Sequence, residues 1–260
     1  MHAHLRAARR LAGVLAIALP ALLVGCTADP PRPAPTSTAD PAPAEADAAR
    51  DELAALAAAA QDRHLTATYL LATGDGPDRT VTVTSANDGS WRVDVPGWGW
   101  GGTVDVSLAA TGEGLFQCAL PSAGRPEPAS CVRLGDPDDA LPRKLDPRVQ
   151  HPFTDWLEVL TDRRAPLAVS PATAPTGASG DCYSVDTTSA SLNAPLDVGI
   201  YCYRPDGTPT AVRAAFGTLR LSGEPGAAPA TVPLAGPVTE GDPVGREAPA
   251  PAASASTGTP

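Results

Sequence analysis

The sequence predicts an α+β domain in which a curled antiparallel sheet, an incomplete β-barrel, is covered by two or more helices. Three observations carry that expectation. Apolar residues alternate with polar ones over most of the central chain, glycine-rich turn signals separate the alternating runs, and two stretches repeat apolar residues every three or four positions. A sheet with one apolar face needs a cover, and the two helical stretches can supply it. A flatter sandwich of sheet and helices is the other arrangement the pattern allows.

The first helix is expected after Asp51 and Glu52, whose charges suit a helix amino terminus, with Leu53, Leu56, Ala57, Ala60 and His64 on one stripe. Strands follow by alternation: Leu65, Ala67, Tyr69 and Leu71; Val81 and Val83 between threonines; Trp91, Val93 and Val95; Val104, Val106 and Leu108; Phe116, Cys118 and Leu120. Gly74-Asp75-Gly76-Pro77, Asn87-Asp88-Gly89 and Thr111-Gly112-Glu113-Gly114 are hairpin turns, so the strands form a meander. A second helix is expected where Phe153, Trp156, Leu157 and Leu160 recur, with Pro152 in its first turn and Arg163, Arg164 and Pro166 closing it. Strands resume at 182–185, 198–203, 211–216 and 218–221. The chain shows no internal repeat of solenoid period.

The flanks differ in kind. Residues 1–25 carry Arg6, Arg9 and Arg10, then an apolar run from Leu11 to Val24, which is the layout of a signal peptide. A retained membrane anchor is disfavoured, because the run falls short of a span of ~20 residues and contains Pro20. Leu23-Val24-Gly25-Cys26 resembles the lipobox of bacterial lipoproteins. That resemblance implies attachment of a diacylglycerol to the Cys26 thiol, cleavage just before Cys26, and acylation of the new amino terminus with a group such as palmitate. Two acyl chains hold a protein stably where one gives only marginal binding. The expected location is therefore the cell membrane, lipid-anchored on its extracytoplasmic face, with Sec and twin-arginine export both open. Residues 26–49 are expected as the lipidated cysteine and a Pro/Ala-rich linker, 50–239 as a single domain, and 240–260 as a disordered tail.

Setting Cys26 aside leaves four cysteines, an even number suited to an oxidising compartment. Each of the segments between Cys118 and Cys131 and between Cys182 and Cys202 reads as a hairpin or short excursion, so these are the expected disulfides. Four free thiols are the alternative. A zinc site fits less well, since neither pair has the short spacing of a zinc knuckle.

With 19 basic and 29 acidic residues the chain carries a formal charge of −10, which excludes nucleic acid as a natural partner. Lys144 is the sole lysine amid abundant Ala, Pro, Gly and Arg, the bias of a GC-rich genome such as an actinobacterium's. Catalytic signatures are lacking. His64 and His151 are the histidines beyond the leader, Gly177-Ala178-Ser179-Gly180-Asp181 falls short of a nucleophile elbow, and Asp136-Pro137-Asp138-Asp139 lacks the glycine and distal glutamate of a calcium loop. No enzyme, cofactor or metal is expected.

Gly97-Trp98-Gly99-Trp100-Gly101-Gly102 matches a phosphate-loop pattern formally, but the following residues 103–108 read as a strand where that loop needs a helix. It is expected as a glycine-rich turn, with Trp98 and Trp100 as a candidate apolar lip to a ligand cavity. Phe153, Trp156 and Leu160 are core residues of the second helix that, in a carrier, would also line or plug that cavity.

Taken in order, the lipobox, linker, helix, strand meander, helix, second meander and closing Thr231-Val232-Pro233-Leu234 resemble the LolA-like lipoprotein-carrier superfamily and the mycobacterial LppX/LprG lipoproteins. Gly199-Ile200-Tyr201-Cys202-Tyr203, Asp206-Gly207 and Gly217-Thr218-Leu219 are similar to stretches of that class in actinobacteria. The resemblance covers about residues 50–235, and the two disulfides depart from the usual carriers. It implies a membrane-anchored protein that binds or carries a lipid or other hydrophobic ligand. The alternative is a cell-envelope protein-interaction or sensor module without a ligand cavity.

Overall fold

A computed structural model describes residues 43–74, 76–189 and 194–248 of the chain. The leader, Cys26 and the linker up to residue 42 lie outside the described residues, as do residues 249–260. Among those described, no helix is long and apolar enough to cross a membrane.

Helix α1 (Pro43–Gln61) leads into strands β1 (Leu65–Ala72), β2 (Arg79–Ser85), β3 (Trp91–Gly99), β4 (Val104–Thr111), β5 (Gly114–Ala119) and β6 (Ser130–Gly135). Helix α2 (Asp155–Thr161) precedes β7 (Leu167–Pro171), β8 (Asp181–Thr187), β9 (Gly199–Tyr203), β10 (Pro209–Ala214), β11 (Gly217–Leu221) and the two-residue β12 (Gly226–Ala227). The strands build one sheet in the order β6-β5-β4-β3-β2-β1-β11-β10-β9-β8-β7, with β12 also on β1. Every strand pair is antiparallel, and β6 and β7 are the two ends, so the sheet is open. The class is α+β, with two α-helices among the described residues.

Two meanders, β1–β6 and β7–β11, join where β1 pairs β11 with Tyr69 opposite Leu221 and Leu71 opposite Leu219. The alternation read from the sequence sets the faces. Leu65, Ala67, Tyr69 and Leu71 of β1, Val81 and Val83 of β2 and Val93 and Val95 of β3 are all buried, and their neighbours are half-buried. That single apolar face continues through Leu219, Val212, Tyr201 and Tyr203 to Val185 and Val169. Fully covering each large apolar side chain contributes ~1.5–3 kcal/mol.

The cover is not uniform. Over β7–β10 it is helical: Ala49, Leu53, Ala57 and Ala60 of α1, four residues apart or nearly so, pack with Trp156, Leu157 and Leu160 of α2. Over β1–β4 it is irregular chain, chiefly Val149 and Phe153 before α2 and Val244 near the end of the described chain. Gly207, in the β9–β10 turn at φ 82, packs against the backbone of Ala59 and Ala60, where a side chain would collide. Arg63 fixes the same junction through Thr208 and Asp206.

Both cysteine pairs are disulfide-bonded, Cys118 with Cys131 and Cys182 with Cys202. Each joins directly opposed residues on neighbouring strands, β5 to β6 and β8 to β9.

Several boundaries differ from the sequence expectation. α1 begins at Pro43, inside the stretch read as linker, because its alanine-rich first turns carry high helix propensity that a count of apolar periodicity passes over. It stops at Gln61, so His64 falls outside the helical stripe. Phe153 is not in α2. It closes a 3₁₀ turn, His151–Phe153, and Thr154 at φ −131 and ψ −117 separates that turn from the helix. Leu120 lies past the end of β5, and Phe216 sits in the β10–β11 turn. β6, β7 and β12 went unread, β7 being a short end strand closed by Pro171. Residues 240–248, expected to belong to a tail, include Val244, which is buried on the sheet.

Candidate functional site

The glycine-rich segment after Val95 forms one wall of a cleft on the sheet. Val95 pairs with Val106 and Gly99 with Val104, so Pro96, Gly97 and Trp98 stand opposite Asp105 alone and bulge out of the ladder. Gly97 has φ 59, donates its N–H to Asp105 Oδ1 at 2.6 Å, and accepts Arg79 Nη1 on its carbonyl at 2.6 Å. A side chain there would press on both Arg79 and the Gly102 carbonyl. Trp100, at φ 47, then opens a short 3₁₀ turn over Trp100–Gly102, and β4 follows. The strand after the turn leaves no helix terminus to cradle a phosphate.

A strap from the carboxyl-terminal part of the chain holds this lip. Trp100 N–H donates to the Gly245 carbonyl and Gly101 N–H to that of Arg246. Gln117, 1 % exposed, anchors the strap from the sheet: its Nε2 donates to the Val244 carbonyl at 3.0 Å and its Oε1 accepts the Val244 N–H at 2.6 Å. Both backbone groups of a buried residue are thereby satisfied by one amide. Val244 also occupies the space a side chain at Gly99 would fill.

The opposite wall is Asp146–Val149. Arg148 adopts φ 67, its N–H donates to Asp146 Oδ1, and its guanidinium pairs with Asp197 at 2.6 Å and lies over the Trp156 ring. Trp100 and Arg148 are the only non-glycine residues at positive φ among those described, and they flank the same cleft. Behind the wall, His151 stands between two carboxylates, Nε2 2.9 Å from Asp146 and Nδ1 2.6 Å from Asp155, and stacks on Trp156. Burial alone would lower the imidazole's pKa, but the hydrogen bonds and charges of Asp146 and Asp155 outweigh it and raise it to about 9. Burial likewise opposes ionisation of Asp146, and the bonds from His151, Gln150 and Arg148 reverse that and hold its carboxyl below the usual range. Burial raises Asp197 despite Arg148.

The cleft encloses about 630 Å³, within the ~300–1,000 Å³ range of small-molecule sites. Its lining is of two kinds. Leu71, Val95, Val149, Trp98 and Phe216 are apolar, while Arg79, Arg148 and Arg246 are its cationic residues and Asp146 its one acidic residue. A smaller groove of about 410 Å³ lies on the other face, between Thr66, Thr82, Thr84, Arg92 and Asp94 and the coil at Ala227–Pro229 and Val232–Pro233.

Of the residues singled out from sequence, Trp98 lines the cleft, and Trp100 is half-buried beside it with the β1–β4 cluster. Phe153 packs on Tyr69 at 4.9 Å between ring centres, Leu160 is fully buried between helices and sheet, and Trp156 is 2 % exposed. These three are core. Trp156 reaches the site at second hand, stacked on Phe216 at 6.2 Å. Cys26 lies outside the described residues. Arg79, Arg148, Phe216 and Arg246 were not picked out, since residues so scattered along the chain leave no spacing to read. No protein-family model matches this sequence, and no curated protein does either.

Proposed function

We propose that the chain is a lipid-anchored extracytoplasmic protein that holds a hydrophobic ligand in the cleft between the Trp98 lip and the Asp146–Val149 wall, with the curled, LolA-like arrangement expected from the sequence. The observation that carries this reading is the presence of Trp98 and Phe216, both half-buried, in the cleft's lining, with buried Leu71, Val95 and Val149 behind them. The anchor would be the acylated Cys26, reached through the linker, and it would keep the domain at the membrane that supplies such ligands.

Mass spectrometry of an organic extract from the natively purified full chain tests the reading. A stoichiometric apolar ligand that is lost in Trp98→Ala supports it, and an extract free of any such ligand from folded protein overturns it. The anchor has its own test, in which Cys26→Ala releases the protein from the membrane fraction.

A second reading, an envelope interaction or sensor module, draws on the packing beneath α1 and α2. There Leu53, Leu160, Leu196 and Tyr203 are each at most 1 % exposed, so the helices leave no room for cargo on their side of the sheet. A protein pull-down abolished by Trp98→Ala and Trp100→Ala, with lipid content unchanged, would favour it.

A further inference from the structure

We propose that the ligand of this cleft is an anionic amphiphile, a single apolar chain ending in a carboxylate or phosphate, whose oxyanion is taken by Arg79 and Arg246 with Arg148 beside them. The inference rests on the hydrophobic-ligand reading and adds the head group to it.

The argument is one of charge and placement. The chain as a whole carries −10, yet the lining of the cleft includes three arginines and one acidic residue. That carboxylate, Asp146, is occupied from within the protein by His151 and Gln150. Arg148 is matched by Asp197. Arg79 and Arg246 have no carboxylate partner among the described residues: Arg79 spends hydrogen bonds on the carbonyls of Pro96 and Gly97, and Arg246 has no side-chain bond. The cleft therefore presents cationic charge that the fold leaves uncompensated.

Two of the arginine side chains are also held in place. The Arg79 guanidinium is fixed by the Gly97 carbonyl and that of Arg148 by Asp197 and the Trp156 ring, while at Arg246 the bond from Gly101 fixes the backbone and leaves the exposed side chain free to reach a ligand. Guanidinium groups suit a planar or tetrahedral oxyanion, which they meet through paired N–H donors. The half-buried rings of Trp98 and Phe216 in the same lining, backed by buried Leu71, Val95 and Val149, make a bare anion an incomplete occupant and an uncharged chain an unmatched one. An amphiphile satisfies both halves of the lining.

The test titrates octanoate, octyl phosphate, 1-octanol and inorganic phosphate into the full-length protein in phosphatidylcholine nanodiscs, with tryptophan emission as readout and empty discs as blank. Octanoate and octyl phosphate should saturate the protein and bind about tenfold more tightly than octanol, as expected for charge-assisted hydrogen bonds. Arg246→Gln should abolish that preference and leave octanol binding unchanged, and Arg246→Lys should restore part of it. Arg246 makes no side-chain bond among the described residues, so these variants keep the fold. Octanol binding as tightly as octanoate in the unaltered protein would overturn the head-group assignment and leave the hydrophobic-ligand reading standing. Inorganic phosphate binding as tightly as octyl phosphate, or no binding by any of the four, would overturn both.

Discussion

On the β7–β10 side of the sheet, apolar residues meet the side chains of two helices that satisfy their own backbones. On the β1–β4 side they meet irregular chain, whose backbone must find partners one by one: Gln117 for Val244, the Trp98–Gly101 lip for Gly245 and Arg246, the Ser90 hydroxyl for Val232. Helices can shed water from a broad apolar surface because their polar groups are already spent. A coil cover is thinner and leaves space between its attachments. The cleft opens on the coil-covered side for that reason, and a filled core lies under the helices.

That contrast can be broken from either side, and the helix-covered side should give the larger effect. Leu160→Ala removes a side chain with no exposure between α2, α1 and the sheet, and should destabilise the domain by ~2–5 kcal/mol in chemical denaturation. A loss below about 1 kcal/mol would mean that the helices are not the stabilising cover.

The disulfides treat the two halves alike. They span 13 and 20 residues, so Cys118→Ser with Cys131→Ser and Cys182→Ser with Cys202→Ser should each cost ~3 kcal/mol in the chain-entropy account. Midpoints that differ widely between the two double variants would show the halves to be unequal in a way the covers alone do not explain.

The wall between the halves should respond to pH. His151 is raised in the folded protein to about 9, above an unfolded value of ~6.5. Its contribution is therefore complete below pH ~6.5, falls as pH rises towards 9, and is gone above that. Asp146, depressed in the fold, contributes above its unfolded value of ~3.9 and loses that contribution as acid protonates it. Asp155, Arg148 and Asp197 also face this cluster, and the exposed side of Asp155 screens part of the effect. Stability should thus fall by about 2 kcal/mol between pH 6.5 and 9, and His151→Gln should flatten the fall. An unchanged slope in the variant would place the titration elsewhere.

The smallest effect sharpens the comparison most. Gln117→Leu leaves the Val244 N–H and carbonyl without partners at a cost of ~1–3 kcal/mol, much of it relieved if the strap lifts away. Hydrogen exchange should rise at 244–246 and at Trp100 and Gly101, while α1 and α2 keep their protection. Equal loosening of the helices would show that strap and helices form a single cooperative unit.

The two covers were unequally legible in the sequence. Period-two alternation marked the starts of β1–β4 to within a residue or two because one face is dry and the other is not, and it stopped three or four residues short of the ends of β3 and β4, while hairpin glycines fixed the turns. The second helix was found through Trp156, Leu157 and Leu160, and the cysteine pairing through the hairpins around it. The strap escaped because a single valine held by a distant glutamine has no period, and its surroundings in proline, glycine and acidic residues read as tail. Trp98 was visible as an aromatic among glycines. The arginines around it were not, since they come from the start of β2, the turn before α2 and the strap, and only the fold brings them together.

The central pairing of β1 with β11 sets an order of events for the newborn chain. Tyr69 must wait for Leu221, about 150 residues downstream, before that margin of β1 is hydrogen-bonded, so the first meander stays an unfinished sheet throughout most of synthesis. Such a margin is a template for any passing strand. Folding yield should therefore depend on how long the chain lingers before its last hairpin arrives, and a chaperone that shields extended segments would find its substrate at β1.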